Sequence, residues 1–170
     1  VGEVLLKSQS TLIQQLSALS RIHSGQLLPW ITFLLSIHDL GKFSDGFQYK
    51  RPELFRQLQG RVTRVGYSPH HTILGYYFCR ENLSRILSPE ADEADLNDLL
   101  IPWLTAVTGH HGQPPIEPLE RILIDTQFPQ AVKQDTIHFI CEMINLLLPE
   151  NIPFGIDDYD HHYPRFKNTS

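Results

Sequence analysis

A nearly continuous apolar segment, residues 27–40, carries a histidine and an aspartate side by side near its end, His38 and Asp39. The segment is much longer than a typical strand of about 5–6 residues, and it predicts a buried central helix with Pro29 in its first turn. An imidazole and a carboxylate are costly inside such a helix unless something binds them, and a divalent metal ion is the usual partner. The pair therefore predicts a metal site.

Two more histidine pairs, His70–His71 and His110–His111, follow later in the chain. The second pair closes an apolar pattern that predicts a helix over residues 96–111. In the first pair only one side chain needs to point inward, and we choose His71 because it opens a helical pattern over residues 71–87. The alternative for each pair is a core or surface histidine without a metal. Imidazole and carboxylate ligands suit iron, manganese, nickel or cobalt, and they do not exclude magnesium or zinc.

The hydrophobic periodicity predicts helices throughout and no convincing strand, so the expected fold class is all-α. The predicted helices cover residues 3–20, 27–40, 52–58, 71–87, 96–111 and 130–148. We expect one metal-dependent hydrolase core over residues 1–148, followed by a Pro- and Asp-rich loop segment over residues 149–170. That segment holds a second acidic and histidine-containing cluster, which we interpret as a solvated loop.

Composition limits the possible partners and the compartment. The net charge of −5 argues against autonomous DNA binding, although a basic strip between the first two histidine clusters could guide a strand. It comprises Lys50, Arg51, Arg56, Arg61 and Arg64. No window reaches the roughly 18 apolar residues of a membrane span, so no membrane partner is expected. Both cysteines, Cys79 and Cys141, lie in helical patterns, which predicts reduced thiols in a cytoplasmic protein.

Asp39 has two carboxylate oxygens and could bridge two ions. A pair of ions about 3.5–4 Å apart is a common arrangement for phosphodiester hydrolysis. Lys42 follows His38 by four residues, so it could reach the same pocket and contact a phosphate oxygen. Asp39 and Lys42 are therefore the candidate catalytic residues.

Three strings together carry a more specific signal. They are Ile37-His38-Asp39-Leu40-Gly41-Lys42-Phe43 with Phe47-Gln48 after it, His71 with Gly75 four residues on, and residues 103–112, which end in Thr-Gly-His-His-Gly. In this order they resemble the HD nuclease domain of the CRISPR-associated helicase–nuclease. The histidine–aspartate pair alone is shared by many phosphohydrolases, whereas the combination is much more specific.

The resemblance implies an HD-domain helical bundle with a two-metal site that cuts single-stranded DNA. It also implies two partners, a helicase domain or subunit and a type I CRISPR surveillance complex. Carried over to this chain, His38 and Asp39 would hold the first ion, and Asp39 would bridge to the second. His71, His110 and His111 would complete the second site, and Lys42 would lie beside the phosphate.

The family pattern also contains a metal-binding histidine upstream of the first helix and an aspartate in a downstream Ala-Asp-Trp-like segment. Neither has a counterpart here, so we expect the chain to lack both flanking segments. By ligand count one ion, bound by Asp39, His71, His110 and His111, would be held well. The other, bound by His38 and Asp39, would be held weakly or not at all.

Three hypotheses follow. The first is a metal-dependent phosphodiesterase, a single-stranded DNA nuclease of CRISPR antiviral defence. The second is an HD-type nucleotide phosphohydrolase, which would need a closed pocket lined for phosphate. The third is an inactive truncated fragment that serves for docking.

Overall fold

Helices account for the regular structure of the described residues. A computed structural model describes residues 11–20, 22–88, 93–112 and 119–148, and this part contains no strand, which confirms the all-α prediction. The α-helices are α1 (Thr11–Ser20), α2 (Ser24–Ile37), α3 (Asp45–Gln48), α4 (Pro52–Gln59), α5 (His71–Leu87), α6 (Glu93–Thr108), α7 (Arg121–Gln127) and α8 (Gln130–Leu147), and two 3₁₀ turns cover Leu40–Phe43 and Gly109–His111. The predicted C-terminal loop segment and its acidic cluster lie outside the described residues.

The chain divides into two units. The first comprises residues 1–33 and 143–170, and the second comprises residues 34–142. Among the described residues of the first unit, Ile13, Leu27, Trp30 and Phe33 are fully buried. The Trp30 and Phe33 rings, one turn apart on α2, stack with their centroids 5.5 Å apart, which adds an aromatic contact within the helix.

Helix α5 is the centre of the second unit. It packs against α6 and against the 3₁₀ turn Leu40–Phe43. Its buried apolar side chains include Leu74, Phe78 and Leu83, and the Phe78 ring meets the Phe128 ring at a centroid distance of 4.6 Å. Both cysteines are free thiols, and burial raises the pKa of Cys79 to about 12.

Several predicted helices agree with the structure, but the central helix does not have the predicted bounds. Helix α2 begins at Ser24, because the His23 carbonyl already accepts hydrogen bonds from the N–H groups of Gln26 and Leu27, each at 2.9 Å. Pro29 therefore lies inside the helix rather than in its first turn, which corrects the prediction. The short helix α3 and helix α7 were not predicted.

His38 and Asp39 also lie outside the helix that was expected to contain them. Helix α2 ends at Ile37, and the pair occupies the turn before the 3₁₀ turn Leu40–Phe43. Leu40 and Gly41 are buried in that turn, so it satisfies the same apolar pattern as a longer helix would. An apolar run reports burial, but it does not report where the helix ends.

Gly41 explains the path of this turn. A Cβ atom at Gly41 would lie 1.8 Å from the His71 carbonyl oxygen and 2.9 Å from the Gly75 nitrogen. A Cβ atom at Gly75 would in turn lie 3.0 Å from the Gly41 nitrogen. The backbone of the turn therefore packs directly on the first turn of α5, an approach that two glycines permit.

None of the helices in the described ranges is long and apolar enough to cross a membrane.

We predict that Gly41→Ala destabilises the protein by more than about 2 kcal/mol, because the added methyl group would collide with backbone atoms that cannot move independently. Gly66→Ala is the matched control, since a Cβ atom there meets nothing within 4 Å, and its effect should stay within about 0.5 kcal/mol. Urea unfolding of both variants measures the difference. Equal stabilities would contradict the role given to Gly41.

Candidate metal centre

The carboxylate of Asp39 lies among three imidazoles and one ammonium group. Its Oδ2 atom is 3.2 Å from His38 Nε2 and 2.5 Å from Lys42 Nζ. Its Oδ1 atom is 3.2 Å from His71 Nε2 and 3.7 Å from His110 Nε2. The two oxygens of one carboxylate therefore face different imidazoles, which is the arrangement that a bridging ligand needs.

Two of these atoms are buried without a hydrogen-bond partner, namely Asp39 Oδ1 and His71 Nε2. They lie 3.2 Å apart, but their mutual orientation does not make a hydrogen bond. Ligand atoms that share an ion at bond lengths of about 2.1 Å are separated by about 3.0–3.4 Å in octahedral or tetrahedral geometry. Since orphaned buried polar atoms are costly, the spacing and the missing partner both fit a metal ion.

Backbone carbonyls fix the tautomers of two histidines. His38 Nδ1 lies 2.6 Å from the Leu35 carbonyl oxygen, and His110 Nδ1 lies 3.0 Å from the Val107 carbonyl oxygen. A carbonyl oxygen only accepts, so each Nδ1 must donate a proton to it. In the neutral rings the lone pair is then on Nε2, the nitrogen that faces Asp39, and such outer hydrogen bonds are typical of metal-binding histidines.

His71 has a different partner, the hydroxyl of Tyr67. Tyr67 Oη lies 2.8 Å from His71 Nδ1 and also accepts a longer hydrogen bond, 3.4 Å, from the His71 backbone N–H. The Tyr67 ring packs on Phe47 and carries the Lys50 ammonium 3.3 Å from its centroid. The sequence analysis did not select Tyr67, and its position four residues before His71 was the available signal.

The protonation states at neutral pH are those that bind metals. Burial, with a smaller contribution from the charge of His70, lowers the pKa of His71 to about 4, although Asp39 opposes the shift. Burial acts to raise the pKa of Asp39, but the hydrogen bond from Lys42 and the charge of His38 outweigh it, so the pKa is lowered. A neutral imidazole and an ionised carboxylate therefore face each other.

The ligand atoms fall into two groups, each with its atoms within 4.8 Å of one another. One group is His38, Asp39 and His110, and the other is His70, His71 and His111. The structure thus brings together all five histidine and aspartate residues chosen from the sequence. It adds His70, which the sequence reasoning set aside, and whose ring centroid is 4.1 Å from that of His71.

One residue of the basic strip predicted from the sequence is paired with a carboxylate in the structure, and three others are exposed. Arg61 makes two hydrogen bonds of 2.6 Å to the buried Asp45 carboxylate, and this pairing raises the pKa of Arg61. Arg61 is therefore a structural residue rather than a free contact for DNA. Arg51, Arg56 and Arg64 are exposed.

Comparison with known proteins identifies the family. A family model described as "Cas3, HD domain" matches residues 1–153. The chain belongs to this family. The predicted HD-domain helical bundle and the resemblance noted above are thereby confirmed, and the match makes the chain a CRISPR-associated HD domain.

A curated relative gives the wider context. The CRISPR-associated endonuclease/helicase Cas3 of Escherichia coli (strain K12) is 30% identical over 126 residues, which cover 61% of this chain. The chain spans only 13% of the length of that protein. No solved structure matches the chain.

The lowered pKa of His71 predicts a pH dependence of stability in metal-free protein. In the unfolded chain a histidine binds its proton near pH 6.5, whereas folded His71 does so only near pH 4. Between these values the unfolded state binds more protons, so lowering the pH from 7 to 5 should reduce the free energy of unfolding. Urea unfolding in a chelator checks this.

The variant for this test is His71→Gln, which removes the titrating group. Its stability should fall less than that of the parent over the same pH interval. His70, whose burial also lowers its pKa, should leave a smaller residual dependence. Identical pH profiles of parent and variant would contradict the assignment.

Proposed function

We propose that this chain is a metal-dependent phosphodiesterase, a DNA nuclease domain of CRISPR antiviral defence that cuts single strands. The observation that carries the proposal is the Asp39 carboxylate, whose two oxygens face separate imidazoles and whose Oδ1 is buried without a hydrogen-bond partner opposite His71 Nε2. Membership of the Cas3 HD family and the name of the Escherichia coli relative, an endonuclease and helicase, support the same chemistry.

The proposed ligands are His38, Asp39, His71, His110 and His111. Asp39 would be the ligand shared by two divalent ions, drawn from iron, manganese, nickel or cobalt, with magnesium or zinc as alternatives. Bound ions would supply hydroxide at neutral pH and polarise the scissile phosphate. The chain's own contribution is to orient the imidazoles of His38 and His110 through the carbonyls of Leu35 and Val107.

The two sides of Asp39 should differ in affinity. Oδ2 already accepts a hydrogen bond from the Lys42 ammonium, and an ion on that side must compete with this charge. Oδ1 faces His71 and His110 and is buried without a hydrogen-bond partner. We therefore propose that the ion on the Oδ1 side is held well and the ion on the His38 side weakly.

Lys42 is the proposed phosphate contact. Its side chain is 42% exposed while its ammonium group lies on Asp39, so it can meet a solvent-borne phosphate without leaving the site. An ammonium group beside a reacting phosphate stabilises the negative charge of the transition state. Asp39 and Lys42 are thus the proposed catalytic residues.

The exposure of the site favours a polymeric substrate over a nucleotide. The side chains of His38 and His110 are 33% and 30% exposed, whereas a nucleotide phosphohydrolase would be expected to enclose its substrate. An open site suits a strand that passes across it. Because the chain carries a net charge of −5, we propose that a helicase domain or subunit and a type I surveillance complex deliver the DNA, in the cytoplasm.

The first experiment is cleavage of circular single-stranded DNA with manganese or nickel. We expect nicking and linearisation by the parent and a loss of at least about a hundredfold in Asp39→Asn, because this change weakens the shared ligand of both ions. Asp125→Asn, at an exposed position of α7, is the matched control and should retain activity. Nucleoside phosphates are assayed in parallel.

The outcomes separate the three hypotheses. Cleavage that depends on Asp39 supports the nuclease. Hydrolysis of nucleoside phosphates without DNA cleavage would replace it with the nucleotide phosphohydrolase. Inactivity toward both substrates, with metal bound, would favour the docking fragment.

Lys42→Ala should have two opposite effects. Cleavage should fall by about a hundredfold, since a contact to the transition state is lost. Metal affinity should rise, because no ammonium group then competes for Asp39 Oδ2. Isothermal titration with Mn²⁺ and the nicking assay measure the two effects on the same preparation, and a weaker affinity in the variant would contradict the competition.

A further inference from the structure

We propose that His70 is an additional metal ligand, so that the imidazoles of His70, His71 and His111 together surround the ion on the Oδ1 side of Asp39. The inference rests on the metal binding proposed above, but it does not require nuclease activity.

The geometry of the three rings carries the inference. The ligand atoms of His70, His71 and His111 lie within 4.8 Å of one another. The ring of His111 stands edge-on to both others, with centroid distances of 5.3 Å to His70 and 5.4 Å to His71. Three imidazoles around one small volume match the nitrogen-rich sites that bind nickel, cobalt, copper or zinc.

The local backbone explains how two adjacent histidines can serve one site. Neighbouring residues within an α-helix project about 100° apart, which is why only His71 was expected to point inward. His70 is instead the N-cap of α5, with extended φ and ψ of −61° and 148°. Because His70 precedes the helical geometry, its ring can lie close to that of His71, at 4.1 Å between centroids.

Thr72 holds the His70 ring in place. His70 Nδ1 is 2.9 Å from Thr72 Oγ1 and accepts a long hydrogen bond, 3.5 Å, from the Thr72 N–H. The hydroxyl of Thr72 is both donor and acceptor. In the capping tautomer Nδ1 accepts these bonds and the ring proton is on Nε2. A ring that binds an ion through Nε2 gives up the long bond from the Thr72 N–H and donates from Nδ1 to the hydroxyl, so the Thr72 side chain can orient the ring in both states.

The capping role gives a sharp variant, His70→Asn. Asparagine is among the best N-cap residues, so the variant should keep the stability of metal-free α5 while it removes the imidazole. Isothermal titration with Ni²⁺ should then show a dissociation constant for one ion raised at least tenfold, since even outer partners of ligands contribute about 10–100-fold. Thermal unfolding without metal should match the parent.

Two further variants complete the test. His70→Asp also caps the helix, and its carboxylate can bind an ion in addition to that of Asp39. This variant should therefore recover part of the Ni²⁺ affinity that His70→Asn loses. His138→Asn removes a histidine that is 77% exposed, and it should bind Ni²⁺ like the parent.

Each outcome is decisive. A parent that binds Ni²⁺ and a His70→Asn variant with the same affinity would overturn the role of His70 while leaving the proposed nuclease intact. Weaker binding in the variant without any DNA cleavage by the parent would support His70 and reject the nuclease. A parent that binds no ion would overturn both.

Discussion

The contact between Gly41 and the first turn of α5 is the constraint on which the proposed site depends. Glycine allows the backbone of the 3₁₀ turn to touch the His71 carbonyl, at a place where a Cβ atom would lie 1.8 Å from that oxygen. Asp39 precedes Gly41 by two residues, and His71 is the residue touched. Packing of main chain on main chain therefore brings together the segments that carry Asp39 Oδ1 and His71 Nε2, which lie 3.2 Å apart.

Burial of apolar side chains explains which parts of the fold could be predicted from the sequence. Hydrophobic periodicity located α5 and α8 almost to the residue, because apolar side chains recur at helical spacing along each. It placed His38 and Asp39 in a helix, because burial alone does not distinguish a helix from a buried 3₁₀ turn. Tyr67 and His70 were missed for a related reason. Their contacts with His71 depend on the path of the chain before α5, and residue spacing carries little information about an irregular segment.

Electrostatics links the fold to the proposed chemistry. The hydrogen bond from Lys42 and the charges of His38 and Lys42 keep the Asp39 carboxylate ionised, so the group that would bind ions is already in its ligand form. The same ammonium group opposes metal binding on the Oδ2 side, since two cations compete for one oxygen. Lys42 would thus weaken the binding of an ion at Oδ2 and, at the same time, stabilise the negative charge of a reacting phosphate. A residue in that position would increase the rate of phosphodiester cleavage rather than the affinity for the metal ion.

All three adjacent pairs in the site lie at helix ends rather than within helices. His38–Asp39 follows α2, His70 caps α5, and His110–His111 occupies a 3₁₀ turn that ends at Gly112 with φ of 86°. Within an α-helix two neighbours diverge by about 100° and cannot easily share an ion, whereas a turn or cap releases that constraint. Helix ends also supply carbonyls without intrahelical partners, and those of Leu35 and Val107 accept from His38 and His110. The termini therefore provide both the freedom to converge and the hydrogen bonds that fix the ligands.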